Sequence, residues 1–355
     1  MRKRFVTLVC RLILCSNAAL AAASDVPIPI IFDTDFMMPP ADDAMALMLA
    51  LQSPEIKILG VTTVAGNDSV ERATADVLRM LEIANQPNIP VYQGANMPLV
   101  REQSEFAVRE YGNWYSDEPP PEPPGGFASK HAENESAASF IVRTVLAKPQ
   151  QVTIVAIGPL TNIAMALRAQ PEFAASVKRI VIMGGAIALL PDGAGNITPN
   201  AEFNFWVDPE AAYAILRSGI EIELSPLNVS RKSSLTKIWY EKMVHNTTPL
   251  TALLKATLGR RFEQNPASAS NMYDQIAMAS VIDPSLVTTG RIYVDVNIDH
   301  GISYGVSVGG RQIWPGAEGA QQIDVQYELD WERFIAMFVE RVQRPLPAKK
   351  LLRAR

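Results

Sequence analysis

Four aspartates near the start of the chain could bind a metal ion or take part in proton transfer. Asp33 and Asp35 follow the apolar residues 30–32, and Asp42 and Asp43 come shortly after them. Like charges so close together repel one another unless a cation or shared protons neutralise them. Carboxylate oxygens are also the ligands that a hard divalent cation prefers. The spacing therefore predicts metal binding or catalysis more strongly than a purely structural role.

A strand and the helix after it must position these four side chains. Residues 27–32 form a short apolar run, and apolar side chains recur at helical spacing over 44–51. Alternate side chains of a strand share a face, so Asp33 and Asp35 are expected to point the same way. The second pair would begin the helix, where free N–H groups and the helix dipole favour anions. One aspartate suffices as a cap, so two of them there favour a functional role.

Strand and helix patterns alternate along the first two-thirds of the chain. The predicted strands, such as 151–157 and 179–183, are mostly continuous apolar runs, which is typical of a buried parallel sheet. Three strand-like runs between 292 and 327 precede a closing helix over 331–342. The predicted fold class is α/β: a Rossmann-like, mostly parallel central sheet with helices on both faces and a small antiparallel C-terminal extension. Ligands of such sheets bind beyond the carboxyl ends of the strands.

The first 21 residues have the pattern of a secretory signal peptide. Basic residues at 2–4 precede an apolar stretch over 5–15, and small residues end at the sequence Ala-Leu-Ala over 19–21. We therefore expect cleavage of residues 1–21 and a periplasmic or secreted protein. Both cysteines lie in this leader, so the mature chain would contain no disulfide.

Length and charge limit the classes of protein that the mature chain can belong to. Residues 22–345 are expected to form a single domain, and residues 346–355 a C-terminal tail. Removing residues 1–21 takes away four positive charges, which changes the net charge from −5 to −9. Such an acidic chain is poorly suited to binding nucleic acid through its phosphates. Because of this charge we expect no nucleic-acid partner. No other apolar run is long enough to span a membrane, so we expect no membrane span in the mature chain.

Further polar motifs follow the predicted strands in order along the chain. They are 62–67, 158–164, 183–185, 201–204, 208–212, 273–274 and 282–284. Each motif alone is a weak signal, but the set in this order resembles the calcium-dependent inosine–uridine nucleoside hydrolase family, from residue 28 to about residue 338. The resemblance implies the nucleoside hydrolase fold. It also implies an enzyme that hydrolyses the N-glycosidic bond of ribonucleosides to free base and ribose.

The resemblance also implies roles for individual residues. The implied calcium ligands are Asp35, Asp43, Asp274 and the backbone carbonyl of Ile157. Asp35 would also orient and deprotonate the calcium-bound water, and Asp33 would be a supporting acid. The implied ribose-binding positions are Asp42, Asn67, Asn196, Glu202, Asn204 and the backbone of Met183. Since Ca²⁺ accepts about 6–8 oxygen ligands, this set leaves room for a water and two sugar hydroxyls. Carboxylates also stabilise the positive charge that develops on the sugar.

The chain departs from the family pattern in its first loop. The family usually has Asp-x-Asp-Pro-Gly-x-Asp-Asp, whereas residues 36–41 make the interval between Asp35 and Asp42 three residues longer here. The sequence leaves open whether this longer loop still brings Asp42 to the sugar. Asn228 stands where the family often has aspartate, and the sequence assigns it no role.

The second departure concerns the group that helps the base to leave. Many family members have a histidine before the late aspartate, where this chain has Tyr273, and residues 111–114 contain no histidine either. Aromatic side chains could instead stack on the base, and the candidates are Trp114, Tyr273 and Trp206. Tyr273 could also donate a proton, although an unperturbed tyrosine hydroxyl, with a pKa of about 10, is a weak acid.

Residues 111–126 are rich in proline, glycine and acidic residues, so neither a helix nor a strand is expected there. A mobile flap over the site and a linker between domains are both compatible with this composition. Family members are usually dimers or tetramers, so by analogy a homodimer or homotetramer is expected.

Three other functions are compatible with parts of the sequence. An apolar strand ending in Asp-x-Asp also begins haloacid-dehalogenase-type phosphatases, but the pair Asp42 and Asp43 comes too early for their second acidic pair. A protein that binds a ribosyl ligand without hydrolysing it would use the same fold and metal. A hydrolase of a non-nucleoside ribosyl compound would use the same site.

Overall fold

The computed structural model describes residues 26–111 and 119–346. The predicted signal peptide, Trp114 and the predicted tail beyond residue 346 lie outside the described residues. The strands are β1 (Ile28–Thr34), β2 (Ile56–Thr63), β3 (Val91–Gln93), β4 (Thr153–Ala156), β5 (Arg179–Met183), β6 (Ile222–Ser225), β7 (Leu235–Thr236), β8 (Ala269–Ser270), β9 (Val287–Val296), β10 (Ser307–Gly310) and β11 (Gln321–Leu329).

Nine of these strands form one twisted central sheet in the order β10-β9-β11-β6-β5-β4-β1-β2-β3. All neighbours from β11 to β3 pair in parallel. Only β9 runs the other way, and it pairs antiparallel with β11 and with β10. The predicted fold class is confirmed, and the antiparallel strands extend the central sheet at one edge. The short strands β7 and β8 pair separately.

Helices cover both faces of the sheet. They are α1 (Asp42–Leu51), α2 (Val70–Ile83), α3 (Glu105–Tyr111), α4 (Ala137–Leu146), α5 (Thr161–Ala169), α6 (Phe173–Ser176), α7 (Phe203–Val207), α8 (Pro209–Leu216), α9 (Leu227–Ser230), α10 (Lys237–Met243), α11 (Pro249–Gln264), α12 (Asp274–Ile282) and α13 (Trp331–Val342), with a 3₁₀ turn at Pro284–Leu286. In the described parts of the chain, no helix is both long and apolar enough to cross a membrane.

Alternate residues of the central strands fill two separate cores, one on each face of the sheet. In β1, Ile30 and Phe32 belong to one core and Ile31 to the other. In β5, Val181 belongs to the first core and Ile180 to the second. Helices α1, α12 and α13 contribute to the first core, and α4, α5 and α8 to the second. Burial on both faces explains why these strands are continuous apolar runs.

The arrangement of the strands brings distant parts of the chain to one edge of the sheet. Because β1, β2, β4 and β5 are parallel neighbours, their carboxyl ends lie together. Asp35, Ile157 and the 184–185 glycines directly follow β1, β4 and β5, and Asn67 lies four residues after the end of β2. Helix α12 packs against α1, which places Asp274 at the same edge although it is far along the chain.

Candidate active site

A small cavity of about 160 Å³ lies at this edge of the sheet. Its lining residues are Asp42, Asn67, Ile157, Met183, Asn196, Glu202, Phe203, Asn204, Tyr273 and Asp274. All of them except Phe203 are residues for which the sequence predicted a role. Two larger cavities, one lined by residues within 213–217 and 295–316 and the other by residues within 244–263, contain none of the predicted site residues. The small cavity is therefore the candidate active site.

Three carboxylates meet at the cavity. Asp42, Asp43 and Asp274 each offer an oxygen, and these oxygens all lie within 4.8 Å of one another. The longer first loop therefore still brings Asp42 to the site, since α1 begins at Asp42 and its first turn carries both acids. Neither acid caps the helix, because the N-cap is Ala41 and makes no side-chain hydrogen bond.

Negative charge on this cluster is energetically unfavourable. Burial, followed by repulsion from the neighbouring carboxylates, raises the pKa values of Asp43 and Asp274 well above the ordinary range. No ion pair neutralises these aspartates within the described residues. Such a cluster is costly to keep charged unless a cation binds to it.

Asp35 is buried beside the cluster, although it is not itself a lining residue. Its Oδ2 accepts a hydrogen bond from the backbone N–H of Asn67 at 2.8 Å. Its Oδ1 has no hydrogen-bond partner in the described structure. Burial raises the pKa of Asp35 to about 7, and the hydrogen bond from Asn67 opposes that rise. A buried carboxylate with one unused oxygen and a pKa near neutrality suits a general base.

Asn67 connects Asp35 to the first turn of α1. Its backbone donates to Asp35, and its side-chain Nδ2 donates to Oδ2 of Asp43 at 2.9 Å. The other oxygen of Asp43 accepts from Oγ1 of Thr34 at 2.5 Å. Asn67 lines the cavity, and it also orients two of the acids, which the sequence did not predict.

Two glycines provide the space that Asp35 occupies. A Cβ atom on Gly66 would lie 2.2 Å from Oδ2 of Asp35, and one on Gly158 would lie 2.8 Å from its Oδ1. Both distances are shorter than any van der Waals contact, so any larger residue would displace the carboxylate. This explains the glycines that follow β2 and β4 in the motifs 62–67 and 158–164.

Replacing Gly66 by alanine is therefore expected to reduce kcat/KM by at least about tenfold, because a shift of the carboxylate misplaces the catalytic group. Steady-state kinetics with a ribonucleoside would measure the change. Gly301→Ala is the matched control, since a Cβ there meets nothing within 4 Å. Equal activity of the two variants would contradict this account of Gly66.

Asp33 lies in a different environment from Asp35. Its Oδ2 accepts from Oγ1 of Thr62 at 2.5 Å and from Nδ2 of Asn162 at 2.8 Å. The two aspartates share no hydrogen-bond partner in the described structure, and Asp35 lies just beyond the end of β1 at Thr34. Burial raises the pKa of Asp33 to about 6. Through Asn162, Asp33 joins β1 to the start of α5, which is compatible with a supporting role.

Asn204 lies at the start of α7, a helix that the sequence analysis did not predict. Its Nδ2 donates to the backbone carbonyls of Ile157 at 3.0 Å and Met183 at 3.2 Å. These are the two backbone positions for which the sequence predicted a role. The side chain therefore holds the ends of β4 and β5 together at the cavity.

Glu202 is the N-cap of α7 and is almost completely buried. Its Oε2 accepts from the backbone N–H groups of Gly185 at 2.8 Å and Phe205 at 3.0 Å, and its Oε1 accepts from that of Asn204 at 2.8 Å. Burial raises the pKa of Glu202, although these hydrogen bonds oppose the rise. The carboxylate thus orders the cavity wall that it lines.

Asn196, in a loop, and Asn228, in α9, hold backbone segments near the cavity through hydrogen bonds. Oδ1 of Asn196 accepts from the backbone N–H of Phe203 at 2.9 Å. Asn228, which received no predicted role, is buried and bonds both the N–H and the C=O of Ile187, at 2.9 and 3.0 Å. Asn228 therefore fixes the loop that leads from β5 toward Asn196.

Of the two leaving-group candidates within the described residues, Tyr273 and Trp206, only Tyr273 lines the cavity. Trp206 is not a lining residue, and the guanidinium of Arg101 lies over its ring at 4.3 Å. The prediction for Trp114 concerns a residue outside the described ranges. No histidine of the described residues lines the cavity; His300, for example, stacks on Tyr304.

The described part of the predicted flap, residues 119–126, contacts helix α2. Nε of Arg79 donates to the carbonyl of Pro124 at 3.2 Å, and Arg79 also lies against Gly125. These residues do not line the cavity. Closure over the substrate stays a prediction.

Comparisons with known proteins agree with this geometry. The family model "Inosine-uridine preferring nucleoside hydrolase" matches residues 30–336. This chain belongs to that family. This chain is 35% identical over 322 residues to the pyrimidine-specific ribonucleoside hydrolase RihA of Salmonella paratyphi B. The match covers 89% of this chain and 98% of RihA. It is 33% identical over 309 residues to the pyrimidine-specific ribonucleoside hydrolase RihB of Escherichia coli O1:K1 / APEC. That match covers 85% of this chain and 93% of RihB.

A solved plant nucleoside hydrolase, the PpNRh1 enzyme, has a TM-score of 0.76 and 30% identity to this chain, and the match covers 90% of this chain and all of that one. The predicted family is thus confirmed, and so is the prediction of a ribonucleoside hydrolase enzyme. Because the chain belongs to the nucleoside hydrolase family, the alternative of a haloacid-dehalogenase-type phosphatase is dropped.

Proposed function

We propose that this nucleoside hydrolase binds one calcium ion at the carboxylate cluster and that Asp35 is its catalytic base. The observation that carries this proposal is the approach of Asp42, Asp43 and Asp274 to within 4.8 Å, beside the unpaired oxygen of Asp35. The donor set consists of oxygens alone, which suits a hard cation with a flexible coordination number. Because the carboxylates of the cluster repel one another, binding of a cation would lower the free energy of the charged, folded protein.

Asp35, Asp43, Asp274 and the carbonyl of Ile157 would hold the ion, as the family resemblance implies. A bound calcium ion would act as a Lewis acid that makes a water molecule easier to deprotonate. Asp35 would orient the attacking water with its unpaired oxygen and accept a proton from it. Asn67 keeps the other oxygen of Asp35 in place through its backbone N–H.

The remaining lining residues suit a ribose. Asp42, Asn67, Asn196, Glu202, Asn204 and the backbone of Met183 present oxygens and amides around the cavity. They could bind the hydroxyl groups of the sugar and stabilise the positive charge that develops as the N-glycosidic bond breaks. We infer that the sugar lies on the carboxylate side and the base toward Tyr273.

We also propose that pyrimidine ribonucleosides are the preferred substrates, because RihA and RihB are both named pyrimidine-specific and match nearly the whole chain. Purified protein with calcium should release ribose from uridine and cytidine at least about tenfold faster than from inosine or adenosine. A reducing-sugar assay on the four nucleosides measures this. Faster release from the purine nucleosides would refute the preference while leaving hydrolysis intact. Binding without any release of ribose would instead indicate a ribosyl-binding protein.

A further inference from the structure

Asp76 is a buried acid of helix α2 that has no role in the site described above. Its exposed fraction is only 3%. Its Oδ2 accepts a hydrogen bond from the backbone N–H of Met38 at 3.3 Å. Met38 belongs to the lengthened loop, residues 36–41, which joins Asp35 to Asp42. Asp76 therefore connects α2 to the loop that leads into the carboxylate cluster.

The position of Asp42 depends on this lengthened loop. The side chains of Phe36 and Met38 are buried in the core on the α1 side of the sheet. The carbonyl of Met38 accepts from the N–H of Ala41 at 3.3 Å, and α1 begins at the next residue, Asp42. A shift of the backbone at Met38 would therefore be passed on to Asp42.

The neighbouring metal-binding candidates are held by other contacts. The two carboxylate oxygens of Asp43 accept from Oγ1 of Thr34 and from Nδ2 of Asn67, and both partners lie outside the lengthened loop. Asp35 accepts from the backbone N–H of Asn67. A displacement of the loop is therefore expected to move Asp42 more than Asp35 or Asp43.

Asp76 also reaches the turn that carries Asn67. Nε of Arg72 lies 3.9 Å from Oδ2 of Asp76, and Nη1 of Arg72 donates to Oδ2 of Asp68 at 2.8 Å. The backbone carbonyl of Asp68 accepts from the N–H of Gly66 at 3.1 Å, which closes the turn around Asn67. Asp76 thus stands between the lengthened loop and this turn.

The energetics of Asp76 argue against a role in stability alone. Burial raises the pKa of Asp76 to about 6, and the N–H of Met38 and the charge of Arg72 oppose that rise. The side chain of Arg72 is 34% exposed and lies at the limit of an ion pair, so it offsets little of the cost of burying the charge. An acid that costs stability in this way is expected where its geometry serves function.

We propose that Asp76 is a positioning residue for ribose binding: by accepting from the N–H of Met38, it holds the lengthened loop so that Asp42 faces the sugar. The inference rests on the proposed function, in which Asp42 binds a hydroxyl group of the ribose. The loop requires an acceptor at this place, because a buried backbone N–H without a partner is unfavourable. It does not require the charge.

Two variants of similar shape separate the acceptor from the charge. Asp76→Leu fills the space but cannot accept a hydrogen bond, whereas Asp76→Asn keeps an acceptor oxygen and loses the charge. With calcium present, Asp76→Leu should lower kcat/KM on uridine and the affinity for ribose by about tenfold each, the effect of losing one hydrogen bond. Asp76→Asn should stay within about threefold of the wild type in both.

Steady-state kinetics and isothermal titration calorimetry with ribose measure these effects. Glu71→Leu is the matched control, because it replaces a partly exposed acid in the first turn of the same helix. It should change neither kcat/KM nor the affinity for ribose. Thermal melting of each variant would check that it folds.

A double variant shows whether Asp76 acts through Asp42. In the Asp42→Ala background, Asp76→Leu should change kcat/KM by less than about threefold, because the side chain that it positions is already absent. The calcium concentration that gives half of the rise in Tm should differ by less than about threefold between Asp76→Leu and the wild type, because Asp35 and Asp43 keep their own partners. A merely structural role would lower activity in both backgrounds.

Three outcomes would each overturn the proposal. They are wild-type values for Asp76→Leu, a loss in Asp76→Asn equal to that in Asp76→Leu, and a loss that persists undiminished in the Asp42→Ala background. Should Asp76→Leu fail to fold, Asp76→Ala takes its place under the same criteria. A wild-type protein that binds ribose but releases none from nucleosides would refute the proposed hydrolysis, and the affinities for ribose would still test Asp76. If it neither binds nor releases ribose, both proposals fail.

Discussion

Replacing Asp35 by asparagine is expected to reduce kcat on ribonucleosides by about 10²–10⁴-fold, the usual contribution of a general base. Asparagine keeps the shape of the side chain, and its carbonyl oxygen can still accept the hydrogen bond from the N–H of Asn67. It cannot take a proton from the attacking water. Steady-state kinetics at saturating uridine would measure the loss.

The fold of this variant should be preserved. Burial raises the pKa of Asp35, so a neutral side chain at this place costs the protein less than the charged one. Circular dichroism and thermal melting of Asp35→Asn should therefore match the wild type or exceed it. Asp299→Asn, a change at an exposed loop residue, is the matched control and should leave activity unchanged. Wild-type turnover by Asp35→Asn would remove Asp35 from the mechanism.

The second large effect concerns the metal. Asp274→Asn should stabilise the calcium-free protein by about 1–2 kcal/mol, or roughly 2–5 °C in Tm, because one of the repelling charges disappears. In the described structure, no hydrogen bond holds the carboxylate of Asp274, so little is lost with it. The same variant should show little or none of the increase in Tm that calcium gives to the wild type. Differential scanning fluorimetry with and without calcium measures both effects.

The stabilisation should depend on pH in a defined direction. The folded-state pKa of Asp274 lies above the ordinary value of 3.8, mainly because of burial and then because of repulsion from Asp42 and Asp43. The folded state therefore retains the proton more strongly than the unfolded state does. This contribution to stability is fully present below the unfolded pKa and is lost as the pH rises through the folded pKa. In calcium-free buffer, the advantage of Asp274→Asn should be larger at pH 8 than at pH 5.

Chelation should reduce hydrolysis by the wild type to background, and added calcium should restore it. Magnesium should restore it less well, because it demands a tighter octahedral site than this oxygen set provides. A gain in Tm on adding calcium to Asp274→Asn, equal to that of the wild type, would show that the ion binds elsewhere. Hydrolysis that persists after chelation would contradict a role for the metal in catalysis.

Local patterns in the sequence were enough to predict the central sheet, whereas the resemblance to the family implied most of the residues that line the cavity. Strand β5 and helix α13 have the predicted bounds, 179–183 and 331–342, because continuous apolar runs and helical spacing are properties of neighbouring residues. In a parallel sheet, the residues after the strands must meet at one edge. The motifs 62–67, 158–164 and 183–185 therefore indicated one site before any tertiary contact was known.

Only the tertiary structure decided how these side chains meet. Strand alternation ends at Thr34, so packing against other elements, and not periodicity, sets the different surroundings of Asp33 and Asp35. The loop before Asp42 is longer than in the family, and only the start of α1 shows that this residue still reaches the cavity.

The partners of the late residues depended on packing as well. Asp274 reaches the other acids because α12 packs against α1, and the contact of Asn271 with Tyr273 depends on the path of the chain before α12. Sequence patterns describe neighbours along the chain. The direction of a side chain beyond the end of a strand, and contacts between distant helices, are set by the packing of the whole core.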